Sequence, residues 1–254
     1  MSDQTHATVQ SVDRACDLLD VLAEADGALP LAAIAQRTGL TAPTAHRLLR
    51  TLLTRGYVRQ TAEREYALGA QLIHLGRRAT PQLATLAQGV LAELESISEE
   101  TANLAVLDGD EVAYIAQMPS RHRMRMFTEV GRRVLPHASG VGKAMLATLP
   151  EAHARSIIER TGLPEYTPST LVTAEALLDD LRESRRRGFA IDDGEQEVGV
   201  RCIAVAVPHA SPPAAVSISG PSARVTDAKA PEFIAALQRA ARTLELAASS
   251  REVW

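Results

Sequence analysis

The sequence predicts a two-part α+β chain: a small helical unit closed by a two-stranded wing, then a mixed sheet layered with helices. Two observations predict it. Apolar residues recur at helical spacing from Val12 to Leu52. The period then changes to two, first briefly after Gly56 and again from Asn103, where strand and helix patterns intersperse with several hairpin connections. At 254 residues and 46% hydrophobic content the chain can bury a sizeable core, and its length suits one or two domains.

The first ten residues are polar and are expected to be mobile. Val12, Ala15, Leu18, Leu19 and Leu22 make the opening helix, ended by Asp26-Gly27. Leu31, Ile34 and Ala35 make a second, and Gly39 closes it where a left-handed residue is wanted. Thr41 offers a hydroxyl N-cap to a third helix, and Pro43 is tolerated in that helix's first turn. Ala45, Leu48, Leu49 and Leu52 form its apolar stripe, which leaves Thr44, His46, Arg47, Arg50, Thr51 and Thr54 facing out. Arg55-Gly56-Tyr57-Val58 turns the chain into a strand, Glu63-Arg64-Glu65 makes a polar tip, and Tyr66-Ala67-Leu68 returns before Gly69.

Helix, tight turn, second helix and wing form the pattern of major-groove DNA recognition, a winged helix-turn-helix. The charge agrees. Between Gly27 and Ala62 stand five arginines (Arg37, Arg47, Arg50, Arg55 and Arg59) and no Asp or Glu, on a chain of net charge −4. Thr41, Thr44, His46, Arg47, Arg50 and Thr51 are the candidate base and phosphate contacts of the third helix. Arg59 and Arg64 are candidate phosphate or minor-groove contacts of the wing, with a solvated hairpin as the alternative. A helical bundle with a solvated arginine face is the bland alternative for the whole unit.

Gln71 to Arg78 reads as a short connecting helix ending near Pro81, which divides the chain into a DNA-binding domain over 1–69, a linker helix over 70–80 and a second domain over 81–254. Leu83, Leu86, Val90, Leu91, Leu94 and Ile97 line a long amphipathic helix. Asn103–Leu107 and Val112–Gln117 read as strands joined by Asp108-Gly109. Further strands are expected at 125–130, 189–192, 202–207 and 214–219, and helices at 140–148, 151–160, 174–187 and 231–247.

No basic start leads into an apolar run and no apolar stretch is long, so neither a signal peptide nor a membrane span is expected, and the chain is placed in the cytoplasm. Cys16 and Cys202 lie in different domains and outside any metal-ligand spacing, so no disulfide framework, metal or cofactor is expected. The SGVGKA segment lacks the first glycine of a phosphate loop and carries Ala144 where Ser or Thr would hold magnesium.

Laid out in order, SVDRACDLLDVLAE, LAAIAQRTGL, APTAHRLLRTLLTRGYV, YALG, NLAVLDGDEVAYI, RMFTEVGRRVLPHASGVGKAMLA, RRRGFAIDDGE, VGVRCIAVAV and SISGPSARVT make the chain resemble the IclR family of bacterial transcriptional regulators along nearly its whole length. The resemblance implies a winged helix-turn-helix, a linker helix and a C-terminal effector-binding domain of GAF-like α+β fold. It also implies dimers, often paired into tetramers, that bind double-stranded inverted-repeat operators, commonly repress, and answer to a small metabolite. It puts the DNA-reading helix on Thr41 to Arg55, with Pro43 where a basic residue is common. It puts the effector site on Gly140, Val141, Asp192, Cys202, Ser217 and Ser219, and the apolar wall on Met124, Met126, Val134 and Val200, with Pro136 where many members carry a bulkier residue.

The residues themselves speak to that pocket. Ser139 is a good N-cap, and the amides after it suit an anion, so a small carboxylic acid, a keto acid or a monocyclic aromatic acid, is the expected effector. The strand period puts Ser217 and Ser219 on one face. Asp192 would repel such a guest unless one carboxyl is protonated or a donor spaces them, and it is expected to accept a hydrogen bond from an effector hydroxyl, hydrate or N–H group; a solvated acidic turn with Asp193, Glu195 and Glu197 is the alternative. Cys202 in an apolar strand reads as a small hydrophobe. The competing reading of the domain is an enzyme, with Cys202 as nucleophile and His137 or His209 as base, or a metal held by Asp192, Glu195, Cys202 and His209.

Overall fold

The computed structural model describes residues 9–249 apart from positions 26, 80, 81 and 127. The expectations for the first eight residues, for Asp26 and for Pro81 therefore lie outside the described residues. The chain divides into two compact units, Met1–Ala79 and Thr80–Trp254.

In the first unit, α1 (Gln10–Ala23), α2 (Leu31–Arg37) and α3 (Ala42–Thr54) precede the wing strands β1 (Val58–Gln60) and β2 (Tyr66–Leu68). Leu18, Leu22, Ile34, Ala45, Leu49, Leu52, Val58 and Tyr66 form one core. Helices α2 and α3 contribute the stripes that their spacing marks, while in α1 Leu18, Leu19 and Leu22 do so and Val12 stays exposed. Gly39 takes a φ of +66°, and the amide of Leu40 reaches back to the Ala35 carbonyl, so the turn between α2 and α3 is closed by its backbone. Thr41 stands at the N-cap of α3, but its hydroxyl caps no amide and pairs with the Thr44 hydroxyl at 2.9 Å. Pro43 explains part of this, since it removes one of the two amides such a cap reaches. The wing pairs Arg59 with Ala67 and Gln60 with Tyr66, and Arg64 turns its tip at a φ of +63°. Helix α4 (Gln71–Ala79) belongs to this unit, its first amide bonded to the Gly56 carbonyl.

The second unit is built on one antiparallel sheet. Helix α5 (Gln82–Ser98) leads into β3 (Thr101–Asp108) and β4 (Glu111–Met118); β5 (Arg133–Val134), α6 (Gly140–Leu146), α7 (Glu151–Thr161), α8 (Ala174–Arg187), β6 (Ala190–Asp193), β7 (Val200–Val207), β8 (Ala214–Pro221) and α9 (Ala230–Ser249) follow. The strand order is β5-β4-β3-β8-β7-β6, every neighbour antiparallel. Leu104, Ile203, Val205, Val216 and Ile218 point to one face and pack with α5 and α9. Ala105, Ala204, Ala215 and Cys202 point to the other, beneath α6, α7 and α8. Alternation along each strand therefore supplies two cores from one sheet.

Among the described residues the strand expected at 125–130 does not form. Pairing with β4 begins only at Gly131, whose amide donates to the Tyr114 carbonyl, and the Arg132 amide bonds back to Glu129 and turns the chain there. Upstream, the Met124 carbonyl accepts from Arg224 instead of from a strand.

The core of the first unit gives a direct test of α3. Leu49→Ala, at a fully buried position, is expected to cost about 2–5 kcal/mol in denaturant unfolding, whereas Leu53→Ala, on the exposed side of the same helix, is expected to cost under about 1 kcal/mol. Equal costs would put α3 in a different orientation.

Candidate nucleic-acid interface and ligand cradle

On α3 the apolar stripe turns inward and presents His46, Arg47 and Arg50 to solvent. Arg59 and Arg64 stand exposed on the wing. Among the described residues none of these four arginines has an ion-pair partner within the unit. Thr44 is half-buried beside Thr41. Thr51 lies toward the flank, its hydroxyl donating to the Arg47 carbonyl at 3.2 Å, and it borders an apolar groove of about 690 Å³ with Val12, Leu19, Leu48 and Leu72. The face is thus cationic at its centre, with uncompensated guanidinium groups suited to phosphate or guanine.

In the second unit, register carries polar side chains side by side across the sheet face beneath α6. Asn103 pairs with Ser217, Ser219 with Cys202, and Cys202 with Asp192. Gln117 donates to the Asn103 amide oxygen at 3.1 Å, Asn103 donates to the Ser217 hydroxyl at 3.4 Å, and the Ser217 and Ser219 hydroxyls lie 3.5 Å apart. The start of α6 closes over this row. A Cβ on Gly140 would lie 2.7 Å from the Cys202 sulfur, and one on Gly142 would lie 2.3 Å from the Pro136 carbonyl, so only glycine permits the approach. The Ser139 hydroxyl caps α6 by accepting from the Gly142 amide at 3.2 Å. Among the described residues the Gly140 and Val141 amides have no acceptor.

Burial governs the chemistry of the cradle. Asp192 is buried, and desolvation raises its carboxyl from 3.8 to about 7; the Glu195 amide opposes that rise, the Glu195 carboxylate adds to it, and Lys143 and the Gln196 amide oppose it. Burial pushes the Cys202 thiol up to about 12, with Asp192 adding and the Ser219 and Ser217 hydroxyls opposing. The Tyr114 phenol is likewise raised by burial and by Cys202 and Asp192. At neutral pH the cradle therefore offers hydroxyls, an amide and a partly protonated carboxyl, and no thiolate.

Beside the cradle Lys143 is buried with its ammonium 2.5 Å from Glu195 Oε1 and 3.1 Å from Asp180 Oδ2. Glu195 belongs to the turn after β6, whose carbonyls accept from Thr167 at Gly194 (2.6 Å) and from Thr170 at Glu195 (2.7 Å). Burial raises Glu195 against the pull of Lys143.

The structure brings Gly140, Val141, Asp192, Cys202, Ser217 and Ser219 together. Val134, Val200 and Met126 are half-buried, and Val134 packs on the core beneath α6. Met124 is 71% exposed and forms no wall. Asn103, Gln117, Tyr114 and Lys143 escaped the sequence reading. Asn103 carried a signal: it interrupts an apolar strand at an inward position. Neither histidine serves Cys202. His137 bonds the Pro164 carbonyl at 3.0 Å and stacks on Tyr166, while His209 faces Glu245 at 3.7 Å. Among the described residues no group of three His, Cys, Asp or Glu could hold a metal ion, and no helix is long and apolar enough to cross a membrane.

A winged helix-turn-helix unit followed by an antiparallel-sheet unit with a buried row of polar side chains defines a two-domain DNA-binding class. The IclR helix-turn-helix domain model matches residues 11–62 and the bacterial transcriptional regulator IclR C-terminal model matches residues 79–246. The chain is 40% identical over 246 residues to the transcriptional repressor IclR of Escherichia coli (strain K12), covering 94% of this chain and 90% of that protein. It is equally similar, over the same shares, to the acetate operon repressor of Salmonella typhimurium. The crystal structure of a transcriptional regulator from Alicyclobacillus acidocaldarius superposes with a TM-score of 0.81 at 28% identity, covering 94% of this chain and 99% of that one. This chain belongs to the IclR family of bacterial transcriptional regulators.

Thiol titration checks the site. Native protein is expected to react with a thiol reagent quickly at exposed Cys16 and slowly at buried Cys202, the second thiol appearing only on denaturation. Fast reaction of both would mean that the cradle is open to solvent.

Proposed function

We propose that this chain is a repressor of an operon for the metabolism of a carboxylic acid, released by a small carboxylate bound in the cradle of the second unit. The observation that carries the DNA half is the set of guanidinium groups of Arg47, Arg50, Arg59 and Arg64, without an ion-pair partner among the described residues, on one winged unit of an acidic chain. In this reading α3 enters the major groove with Thr41, Thr44, His46, Arg47, Arg50 and Thr51, the wing follows a phosphate strand, and two copies related by a dimer axis read an inverted repeat, as a dimer or a pair of dimers. One recognition helix makes too few base contacts to select a site in a genome, whereas two supply the several kcal/mol needed. Helix α4 then serves as the linker between reader and sensor.

For the sensor half, the Gly140 and Val141 amides, the Ser217 and Ser219 hydroxyls and a protonated Asp192 are donors that would converge on a carboxylate, with Val141, Val134, Val200 and Met126 beside its carbon skeleton. A keto acid or a monocyclic aromatic acid fits this chemistry. The names of the Escherichia coli and Salmonella typhimurium relatives, a repressor and an acetate operon repressor, point the same way. Effector binding shifts the dimer among geometries of different half-site spacing, a coupling of about 1–3 kcal/mol in typical cases.

Selection of genomic fragments by the purified protein is expected to enrich a palindrome beside a gene cluster for carboxylic acid metabolism; enrichment of no sequence would refute the operator reading. On that operator Arg47→Ala is expected to cost about 1–3 kcal/mol, with relaxed preference at one position if the side chain reads a base. Carboxylate binding should also depend on pH. Below about 7 Asp192 is protonated and donates; above it the ionised group repels the guest, so affinity is expected to fall by up to about tenfold per pH unit, with net proton uptake on binding in calorimetry. Affinity unchanged from pH 6 to 8.5 would remove Asp192 from the contact, and no heat from a panel of keto and aromatic acids would remove the carboxylate itself.

A further inference from the structure

Lys143 stands on α6 within one turn of Gly140 and Val141, and its side chain is 1% exposed. An ammonium so deeply buried must be compensated, and both compensating groups come from elsewhere in the chain: Glu195 from the turn after β6 and Asp180 from α8. Glu195 Oε1 holds Lys143, while Glu195 Oε2 is buried with no hydrogen-bond partner, so Lys143 is the polar anchor of that side chain. The same residue's backbone amide donates to Asp192 Oδ1 at 2.7 Å, and the Gln196 amide reaches that oxygen at 3.4 Å. A continuous chain of contacts therefore runs from α8 through Lys143 and Glu195 to the carboxyl that faces the cradle.

We propose that Lys143 is the positioning residue of the cradle: through Glu195 it holds the turn whose amides fix the Asp192 carboxyl, and its own charge is engaged there and withheld from the guest. The proposal rests on reading Asp192 as an effector contact. It also explains how a buried cation one turn from the cradle leaves Asp192 free to carry a proton. The groups facing Asp192 are Tyr114 from β4, Cys202 from β7, Lys143 from α6 and Glu195 with Gln196 from the turn. Burial keeps the phenol and the thiol protonated in the neutral range, so Lys143 and Glu195 are the charges that decide how readily Asp192 ionises.

The test needs no ligand. In full-length protein labelled with ¹³C-aspartate, Asp192→Asn identifies the carboxyl resonance and its titration midpoint is read directly. Glu195→Gln keeps the shape and an acceptor for Lys143 but removes a repelling charge. The midpoint is expected to fall by about one pH unit, and amide exchange at positions 195 and 196 to quicken by about tenfold, with α5 and α9 unchanged. Lys143→Met is expected to quicken the same amides and to move the midpoint the other way. Opposite titration shifts with a shared loss of protection distinguish a positioning charge from general loosening. Should Lys143→Met fail to fold, Glu195→Gln decides alone. An unchanged midpoint and unchanged exchange in Glu195→Gln, or shifts of the same sign in both variants, would overturn the proposal. Failure of every carboxylate to bind would strike the effector reading and leave this measurement standing.

Discussion

The ion pairs of one buried ammonium, that of Lys143, tie together the parts of the second unit that lie far apart in the chain. Helix α6, helix α8 and the turn after β6 meet at its Nζ. Removing one partner of such a group typically costs about 3–5 kcal/mol, because the remaining charges are left uncompensated in a poor solvent for ions. The pair itself adds less to stability than an apolar side chain of the same volume would. What it provides is position, since an ammonium with fixed carboxylates on two elements admits few arrangements of those elements. Thr167 and Thr170 add neutral hydrogen bonds to the same turn and restrict it from the other side.

The sheet divides its labour by face. The side under α5 and α9 is an apolar core of Leu, Ile and Val, which supplies burial and little else. The side under α6 gives up apolar contacts at one end, where Asn103, Ser217, Ser219 and Asp192 are buried. Buried polar groups are tolerated when they satisfy one another, and the chain from Gln117 through Asn103 to Ser217 does so while Ser219 lies within reach. A sheet can carry such a row because neighbouring strands place it in register, and α6 can cover it because Gly140 and Gly142 let the helix approach.

Charge is handled differently in the two units. On the sheet domain Arg133, Arg160, Arg182, Arg186 and Arg224 are each matched by carboxylates, with Arg224 locked onto buried Glu100. On the winged unit Arg47, Arg50, Arg59 and Arg64 have no ion-pair partner among the described residues, although Glu63 and Glu65 flank Arg64 in the chain. Solvated arginines of this kind keep their full electrostatic reach for a polyanion, whereas paired ones present a muted field.

Helices α1 to α3, the wing, α5, the β3–β4 hairpin and α6 to α9 were legible in the sequence, because each is specified by local spacing, a turn residue or a cap. So was the row of Ser217 and Ser219, which follows from the period of a strand. The segment 125–130 was misread because alternation marks a chain able to form a strand, whereas the turn at Glu129–Arg132 and the bond from Arg224 to the Met124 carbonyl engage the backbone otherwise. Thr41 was misread as a capping hydroxyl because its competition with Thr44, next to the missing amide of Pro43, is a matter of geometry. Tyr114 and Lys143 were out of reach for the same reason, and Asn103 showed only as a polar residue inside an apolar strand. Their surroundings come from strands and helices tens of residues away, and the raised carboxyl of Asp192, the silent thiol of Cys202 and the buried charge of Lys143 exist only once those elements have excluded water. The sequence by itself determined the elements, their inward faces and the family; the tertiary structure decided which polar groups meet and in what ionisation state, because desolvation and pairing are properties of a packed site and not of a residue.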